Sequence, residues 1–205
     1  MLLDRGFRVH VPAVPNRSLL GDSAYIRSVV EEIDGPVLLV GHSYGGAVIS
    51  QAGNEPNVKG LVYIAAFAPD AGESPGGITQ QHLPEAAPNL APDSDGYLWL
   101  RADKFHESFC QDLSEDEGRV MAVTQKAPLA STFGDTVSEP AWKHRPSWYQ
   151  LSRHDRMIAP ENQKAMAARM QPKRLLELDA SHASLASQPK EVTALILEAC
   201  AAIGG

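Results

Sequence analysis

The sequence lacks the features that mark several protein classes. It has only two cysteines among 205 residues, Cys110 and Cys200, in no metal-binding spacing, so we exclude a disulfide scaffold. No uncharged apolar run approaches the ~20 residues that a membrane-spanning helix needs. Positive charge is not in excess, since 18 Lys and Arg stand against 25 Asp and Glu, and the net charge is −7. An acidic surface repels phosphate backbones, which argues against a nucleic-acid partner.

The remaining composition is that of one folded domain. Hydrophobic residues make up 43% of the chain and charged residues 21%, which excludes a disordered chain or a fibre. The first five residues, Met-Leu-Leu-Asp-Arg, form no secretory pattern because an acidic residue follows only two leucines. We therefore expect a cytoplasmic protein with a small-molecule substrate, and a homodimer is compatible with the sequence.

Apolar spacing in the first third of the chain predicts alternating strands and helices. Residues 8–12 predict a short strand that ends at Pro12, and residues 23–33 carry the spacing of an amphipathic helix. The run Val37–Val40 predicts a strand buried on both faces, as in a parallel sheet. A further strand is predicted at 61–66. The alternation favours an α/β fold with a mostly parallel sheet flanked by helices.

The regular pattern is interrupted between residues 72 and 144. This stretch begins rich in proline and glycine, and it includes a capping box, Ser114 with Glu117, at the start of a predicted helix that ends near Thr124. We expect residues 1–71 and 145–205 to form the core and 72–144 to form a helical lid or cap. After it, elements are predicted at 147–151, 160–170, 174–178 and 189–202.

The segment Gly41–Gly46, Gly-His-Ser-Tyr-Gly-Gly, contains a G-x-S-x-G pattern between the strand at 37–40 and the next helix. In that context the serine sits on a tight, strained turn, and the helix N-terminus supplies amide donors for an oxyanion. Neither pattern of a nucleotide-binding loop, G-x-G-x-x-G or G-x-x-x-x-G-K-[ST], is present here. Ser43 is therefore the candidate nucleophile.

A serine nucleophile needs a base, and five histidines follow the turn. His182 is the candidate because it follows the last predicted strand, at the edge of the sheet where ligands of open α/β folds bind. His82, His106 and His144 fall in the insertion. His154 directly precedes Asp155 and leaves no useful separation between a base and that acid.

The candidate acid is Asp155, which follows the strand at 147–151 and precedes His182 by 27 positions. Asp70 competes with it, since it follows the strand at 61–66. Asp179 is too near His182 along the chain to orient the ring. A surface ion pair of Asp155 with Arg153 or Arg156 is the alternative to a catalytic role.

These motifs resemble the α/β-hydrolase superfamily, and within it the small bacterial esterase-like hydrolases related to plant methylesterases and hydroxynitrile lyases. The resemblance rests on residues 41–46, 65–73, 154–161 and 179–183, in the order of that family. It implies Ser43 as nucleophile, Asp155 as acid and His182 as base, a lid over an acyl pocket at 72–144, and no cofactor or metal.

The resemblance also implies one oxyanion donor, and we group it with two further residues expected to bind the oxyanion or the substrate. The donor is the backbone N–H of Tyr44. Phe67 and His42 are placed in the same group, with His42 packing beside the turn. The apolar wall of the pocket is expected from further aromatic side chains: Trp99, Phe105, Phe109, Phe133 and Trp142.

One part of the family pattern is not found. Family members begin with a strand, then a loop that supplies the second oxyanion N–H, then a helix. Residues 2–6 resemble the end of that helix, and the strand and loop before it are not found. The missing strand lies between the strands predicted at 8–12 and 37–40. We therefore expect an N-terminally truncated α/β-hydrolase fold with one oxyanion donor short.

Three functions follow from these observations. The first is a serine hydrolase that cleaves an ester or a related small acyl substrate. The second is a lyase of the hydroxynitrile type that uses the same three residues with a lid lysine, for which Lys104, Lys126 and Lys143 are available. The third is an impaired or non-catalytic protein of the same fold, supported by the incomplete N-terminal pattern.

Overall fold

A computed structural model describes residues 1–204 of the chain. The six strands of this part are β1 (Val37–Ser43), β2 (Val58–Ala66), β3 (Leu90–Pro92), β4 (Leu98–Leu100), β5 (Ser147–Ser152) and β6 (Arg174–Leu178). Its eight α-helices are α1 (Leu19–Glu31), α2 (Gly45–Ala52), α3 (Pro75–Thr79), α4 (Phe105–Phe109), α5 (Glu115–Thr124), α6 (Pro160–Met170), α7 (Ser184–Ser187) and α8 (Pro189–Ile203).

The main sheet has four parallel strands in the order β1-β2-β5-β6. Each crossover contains at least one helix. Because all four strands are parallel, their carboxyl ends lie at one edge of the sheet. The predicted α/β fold with a parallel sheet is confirmed. Because β1 and β2 are adjacent, the residues that follow them are neighbours in space.

The sheet is covered on both faces. Side chains alternate along β2, so that Leu61 and Tyr63 enter one apolar cluster while Val62 and Ile64 enter another. The first cluster holds the apolar faces of α1, α2 and α6, and the second holds that of α8. This burial on both faces explains the continuous apolar composition of β2.

Two predictions about the N-terminal third are wrong. Residues 8–12 form no strand, since no neighbouring strand pairs with them in residues 1–204, and an isolated extended segment has no ladder bonds to stabilise it. The strand at 37–40 is not buried on both faces, because β1 lies at the sheet edge and the side chain of Val40 is 41% exposed.

The segment 72–144 lies outside the main sheet. It contains α3, the antiparallel pair β3–β4, α4 and α5, and β3 and β4 form a two-stranded sheet separate from the main one. Its two ends meet, because the Gly72 amide donates to the Val137 carbonyl at 2.8 Å and the Val137 amide donates to Glu73 at 3.0 Å. The capping box of Ser114 and Glu117 is present at the start of α5. The role of the segment 72–144 as a lid stays a prediction.

The packing of α2 against the end of β2 generates a stability prediction. A Cβ atom at Gly46 would overlap the Phe67 carbonyl oxygen, whereas one at Gly45 would meet no atom within 4 Å. We expect Gly46→Ala to lower the free energy of unfolding by about 2–3 kcal/mol, the cost of overpacking a rigid contact. Gly45→Ala is the matched control and should lower it by no more than ~0.5 kcal/mol. Urea unfolding measures both, and equal midpoints would contradict the steric argument.

Candidate active site

Ser43 occupies a sharp turn between β1 and α2. Its backbone has a φ of 55°, in the left-handed region that non-glycine residues rarely adopt. The Phe67 amide donates to the Ser43 carbonyl at 3.1 Å, which holds the turn against the end of β2. A Cβ atom at Gly41 would lie 2.6 Å from the Gly45 carbonyl oxygen, so the strand and helix approach more closely than a side chain permits. The strain at Ser43 is therefore fixed by its surroundings.

His182 and Asp155 form a buried pair. His182 follows β6, Asp155 follows β5, and Nδ1 of the histidine lies 2.8 Å from Oδ2 of the aspartate. Their side chains are 1% and 0% exposed. A carboxylate can only accept, so Nδ1 carries the hydrogen and Nε2 of the neutral ring carries the lone pair.

The carboxylate of Asp155 is fully hydrogen-bonded. Its Oδ1 accepts from the backbone amides of Met157 at 2.8 Å and Ile158 at 2.9 Å, and its Oδ2 accepts from Gln163 Nε2 at 2.7 Å as well as from His182. Four donors compensate a buried charge that would otherwise cost several kcal/mol. Asp155 pairs with neither Arg153 nor Arg156, which contact Glu177, Asp179 and Glu85 instead.

Ser43 and His182 line the same cavity, which has a volume of about 700 Å³. The Nε2 atom of His182 is buried and has no hydrogen-bond partner within residues 1–204. Ser43 Oγ makes no direct hydrogen bond to it in that part of the chain; such bonds are often long before a substrate binds. The other walls are largely apolar and include Phe67, Leu90, Leu98, Leu100, Phe105, Phe109, Met121, Phe133, Met157 and Ile158.

Tyr44 directly precedes α2 and is anchored by its phenol. Its hydroxyl donates to Asp22 Oδ2 at 2.9 Å, and burial, followed by the charge of Asp22, raises the pKa of this phenol well above its ordinary value. The other oxygen of Asp22 accepts from the Asn16 amide at 3.0 Å. Asp22 thus connects the turn to Asn16, which also lines the cavity.

Some residues expected near the site lie elsewhere. Trp99 is 40% exposed and donates to Asp93, and Trp142 donates to the Pro69 carbonyl, so neither lines the cavity. The competing acid Asp70 pairs with Lys143. Among the expected aromatic residues, the cavity contains the four phenylalanines at 67, 105, 109 and 133.

The three lid lysines differ in position. Lys104 pairs with Glu107 and Lys143 with Asp70, both outside the cavity. Lys126 lines the cavity, but its ammonium group donates to the Val14 carbonyl. In this structure, then, no lysine of the insertion presents a free ammonium group beside Ser43.

Sequence reasoning missed Gln163 and Asp22. Gln163 is wholly buried on α6, where its Oε1 accepts from the Ser152 amide at 3.2 Å and its Nε2 donates to the Ile158 carbonyl at 2.9 Å besides Asp155. A polar residue on the inward face of a predicted helix was the one signal for Gln163. Asp22 precedes the helix predicted at 23–33, so the sequence carried no such signal for it.

Comparison of the sequence with known protein families identifies the family of this chain. A model of the alpha/beta hydrolase family matches residues 1–195. This chain belongs to the alpha/beta hydrolase family. The hydrolase is 28% identical to a Phoma sp. protein named "Probable hydrolase R7" over 201 residues, which covers 90% of this chain and 80% of that protein. It is 27% identical to Methylesterase 7 of Arabidopsis thaliana over 180 residues, covering 80% of this chain and 69% of the relative.

Solved structures agree on the fold. The pyrethroid hydrolase PytH superposes with a TM-score of 0.81 at 22% identity, over 98% of this chain and 89% of that one. Polyneuridine aldehyde esterase gives a TM-score of 0.75 at 17% identity, over 89% and 80%. The family match and the relatives named hydrolase and methylesterase identify this chain as an esterase-like α/β-hydrolase enzyme. None of the helices in residues 1–204 has both the length and the apolar character needed to cross a membrane.

The contacts of Gln163 generate the second prediction. Gln163→Met keeps the length of the side chain but removes three hydrogen bonds and leaves the Ser152 amide and the Ile158 carbonyl without partners. We expect the free energy of unfolding to fall by about 2–4 kcal/mol. Lys164→Met changes the neighbouring exposed residue of α6 and should alter it by less than ~0.5 kcal/mol. Chemical denaturation checks both, and a stable Gln163→Met variant would contradict the role of this network.

Proposed function

We propose that this hydrolase cleaves an uncharged, largely apolar carboxylic ester through a covalent acyl intermediate on Ser43. His182 is the base and acid of the reaction, Asp155 orients its ring, and the Tyr44 amide donates to the oxyanion. One observation carries the proposal. Within residues 1–204, the buried ring of His182 is bound at Nδ1 to Asp155 and has no partner at Nε2, which lies in the cavity that Ser43 also lines.

The first half of the reaction follows from the tautomer. Because Nδ1–H is donated to Asp155, the lone pair on Nε2 accepts the proton of Ser43 as its Oγ bonds to the carbonyl carbon of the ester. The carboxylate stabilises the imidazolium that forms. The negative charge develops on the former carbonyl oxygen, where an amide at the N-terminus of α2 stabilises it.

The second half releases both products. The tetrahedral intermediate collapses, the bond to the alkoxy oxygen breaks, and His182 returns its proton to the departing alcohol. Water then attacks the acyl-serine with His182 again accepting a proton. The ester of Ser43 breaks, the proton passes back to Oγ, and a carboxylic acid leaves the cavity.

The lining of the cavity favours a substrate without charge. Aromatic and aliphatic side chains from the insertion and the core surround Ser43, and the cation in the lining, Lys126, is bound to a backbone carbonyl. An anionic acyl or alcohol group would lose hydration without gaining a partner. The relatives named hydrolase and methylesterase support the ester class, and the named pyrethroid hydrolase shares the fold.

Loss of the nucleophile tests this function. We expect Ser43→Ala and His182→Ala each to lower kcat for p-nitrophenyl butyrate by up to ~10⁶-fold, because nucleophile and base act as a unit. Asp155→Asn should lower it by about 10⁴-fold through the wrong tautomer of His182. Initial rates at saturating ester measure all three.

A fluorophosphonate probe supplies the control. It should label the native protein but not Ser43→Ala. It should also label Ser28→Ala, which removes a serine hydroxyl from the exposed side of α1. Full ester turnover by Ser43→Ala, or labelling at another serine, would overturn the proposed function. Full activity of Asp155→Asn would overturn the role of Asp155 in orienting His182.

A charge in the cavity wall tests the substrate class and the lid. Met121 on α5 lines the cavity, whereas its neighbour Val120 is 61% exposed. We expect Met121→Glu to lower kcat/KM for p-nitrophenyl hexanoate at least ~10-fold, because an unpaired carboxylate is costly in an apolar wall. Val120→Glu should leave it unchanged. Equal rates for the two variants would show that α5 does not cover the substrate.

A further inference from the structure

The imidazole of His42 contacts the residue that carries the proposed base. His42 directly precedes Ser43 in β1, and its Nε2 atom lies 2.8 Å from the main-chain carbonyl oxygen of His182. A carbonyl oxygen only accepts, so Nε2 of His42 carries the hydrogen and donates it. The bond joins two residues that are 140 positions apart in the chain.

The segment around His182 is held from several directions. The His154 amide donates to the Ala180 carbonyl at 3.1 Å, the Ser181 amide donates to Asp112 at 2.9 Å, and the Ala183 amide donates to the Phe109 carbonyl at 3.1 Å. These contacts come from the loop of the proposed acid and from the insertion. The His42 contact comes from β1 itself, the strand that ends in the nucleophile.

The two imidazole rings also pack against each other. Their centroids are 4.5 Å apart with an angle of 46° between the planes, and the rings of Phe109 and His182 are nearly perpendicular with centroids 4.8 Å apart. Burial, and then the neighbouring His182, lower the pKa of His42 to about 3. A neutral ring keeps a hydrogen on one nitrogen without placing a second cation beside the proposed base when that base accepts a proton.

We propose that His42 is a positioning residue of this hydrolase: its neutral ring donates from Nε2 to the His182 carbonyl and holds the base in register with Ser43. The inference rests on the proposed function. The bond ties the His182 backbone to β1, the strand that ends in Ser43, so the separation of nucleophile and base is not set by the contacts with the insertion alone. An error of ~1 Å in such a separation costs about 100-fold in rate.

Two substitutions separate the donor from the ring. His42→Phe keeps an aromatic ring and removes the donor, and His42→Gln restores an N–H at about the position of Nε2. For p-nitrophenyl butyrate we expect His42→Phe to lower kcat by about 10- to 100-fold with KM changed less than ~2-fold. His42→Gln should recover most of that loss. A purely structural role would not give this recovery with an unchanged KM.

Two results would overturn the inference. One is a kcat for His42→Phe equal to that of the native protein, and the other is an equal loss in the Phe and Gln variants. A measurement on the native protein covers the case in which a variant fails to fold. Long-range ¹H–¹⁵N spectra should show His42 neutral and protonated at Nε2, and protonation at Nδ1 alone would contradict the bond.

The failure of this inference is distinguishable from the failure of the proposed function. If Ser43→Ala is inactive while His42→Phe is fully active, the hydrolase mechanism stands and His42 has no positioning role. If Ser43→Ala keeps full activity, the mechanism itself is wrong. The spectroscopic test reads the tautomer directly and does not depend on turnover.

Discussion

The buried carboxylate of Asp155 determines the arrangement of three parts of the molecule. A charge at 0% side-chain exposure is stable only when its oxygens are fully hydrogen-bonded, and here the donors come from the turn after β5, from α6 and from the loop after β6. Each donor restricts the element that supplies it. The position of His182 is therefore a consequence of satisfying this charge, and the placement of α6 through Gln163 follows from the same requirement.

A steric constraint acts on the other side of the cavity. Gly41 and Gly46 allow β1, α2 and the end of β2 to approach within distances that no Cβ atom permits, and this contact keeps Ser43 in a left-handed conformation. Strain of ~1–3 kcal/mol persists only where the surroundings enforce it. The two constraints meet in the cavity, since the carboxylate network orients His182 and the close packing presents Ser43.

The open edge of β1 shows where local pattern and tertiary pairing disagree. Residues 7–11 alternate apolar and polar side chains as a strand does, yet they are not part of a sheet in the described chain. Alternation specifies which side chains share a face, but the ladder bonds of a strand require a neighbouring backbone. The side chain of Val40, in the edge strand β1, is left 41% exposed by the residues of the described chain.

The elements with strong local signals were predictable from the amino-acid sequence: α6 begins at Pro160 and ends at Met170 as expected, and the glycine-flanked turn at Ser43 lies between a strand and a helix. Side-chain chemistry and strand order were also enough to select Asp155 and His182 as partners. The wall of the cavity was not predictable, since the sequence does not distinguish Trp99 and Trp142, which lie outside the cavity, from the phenylalanines that line it. Nor were the contacts of Gln163 and His42, because a hydrogen bond between distant segments depends on how the elements pack, and periodicity shows which face of an element is apolar without showing what covers it.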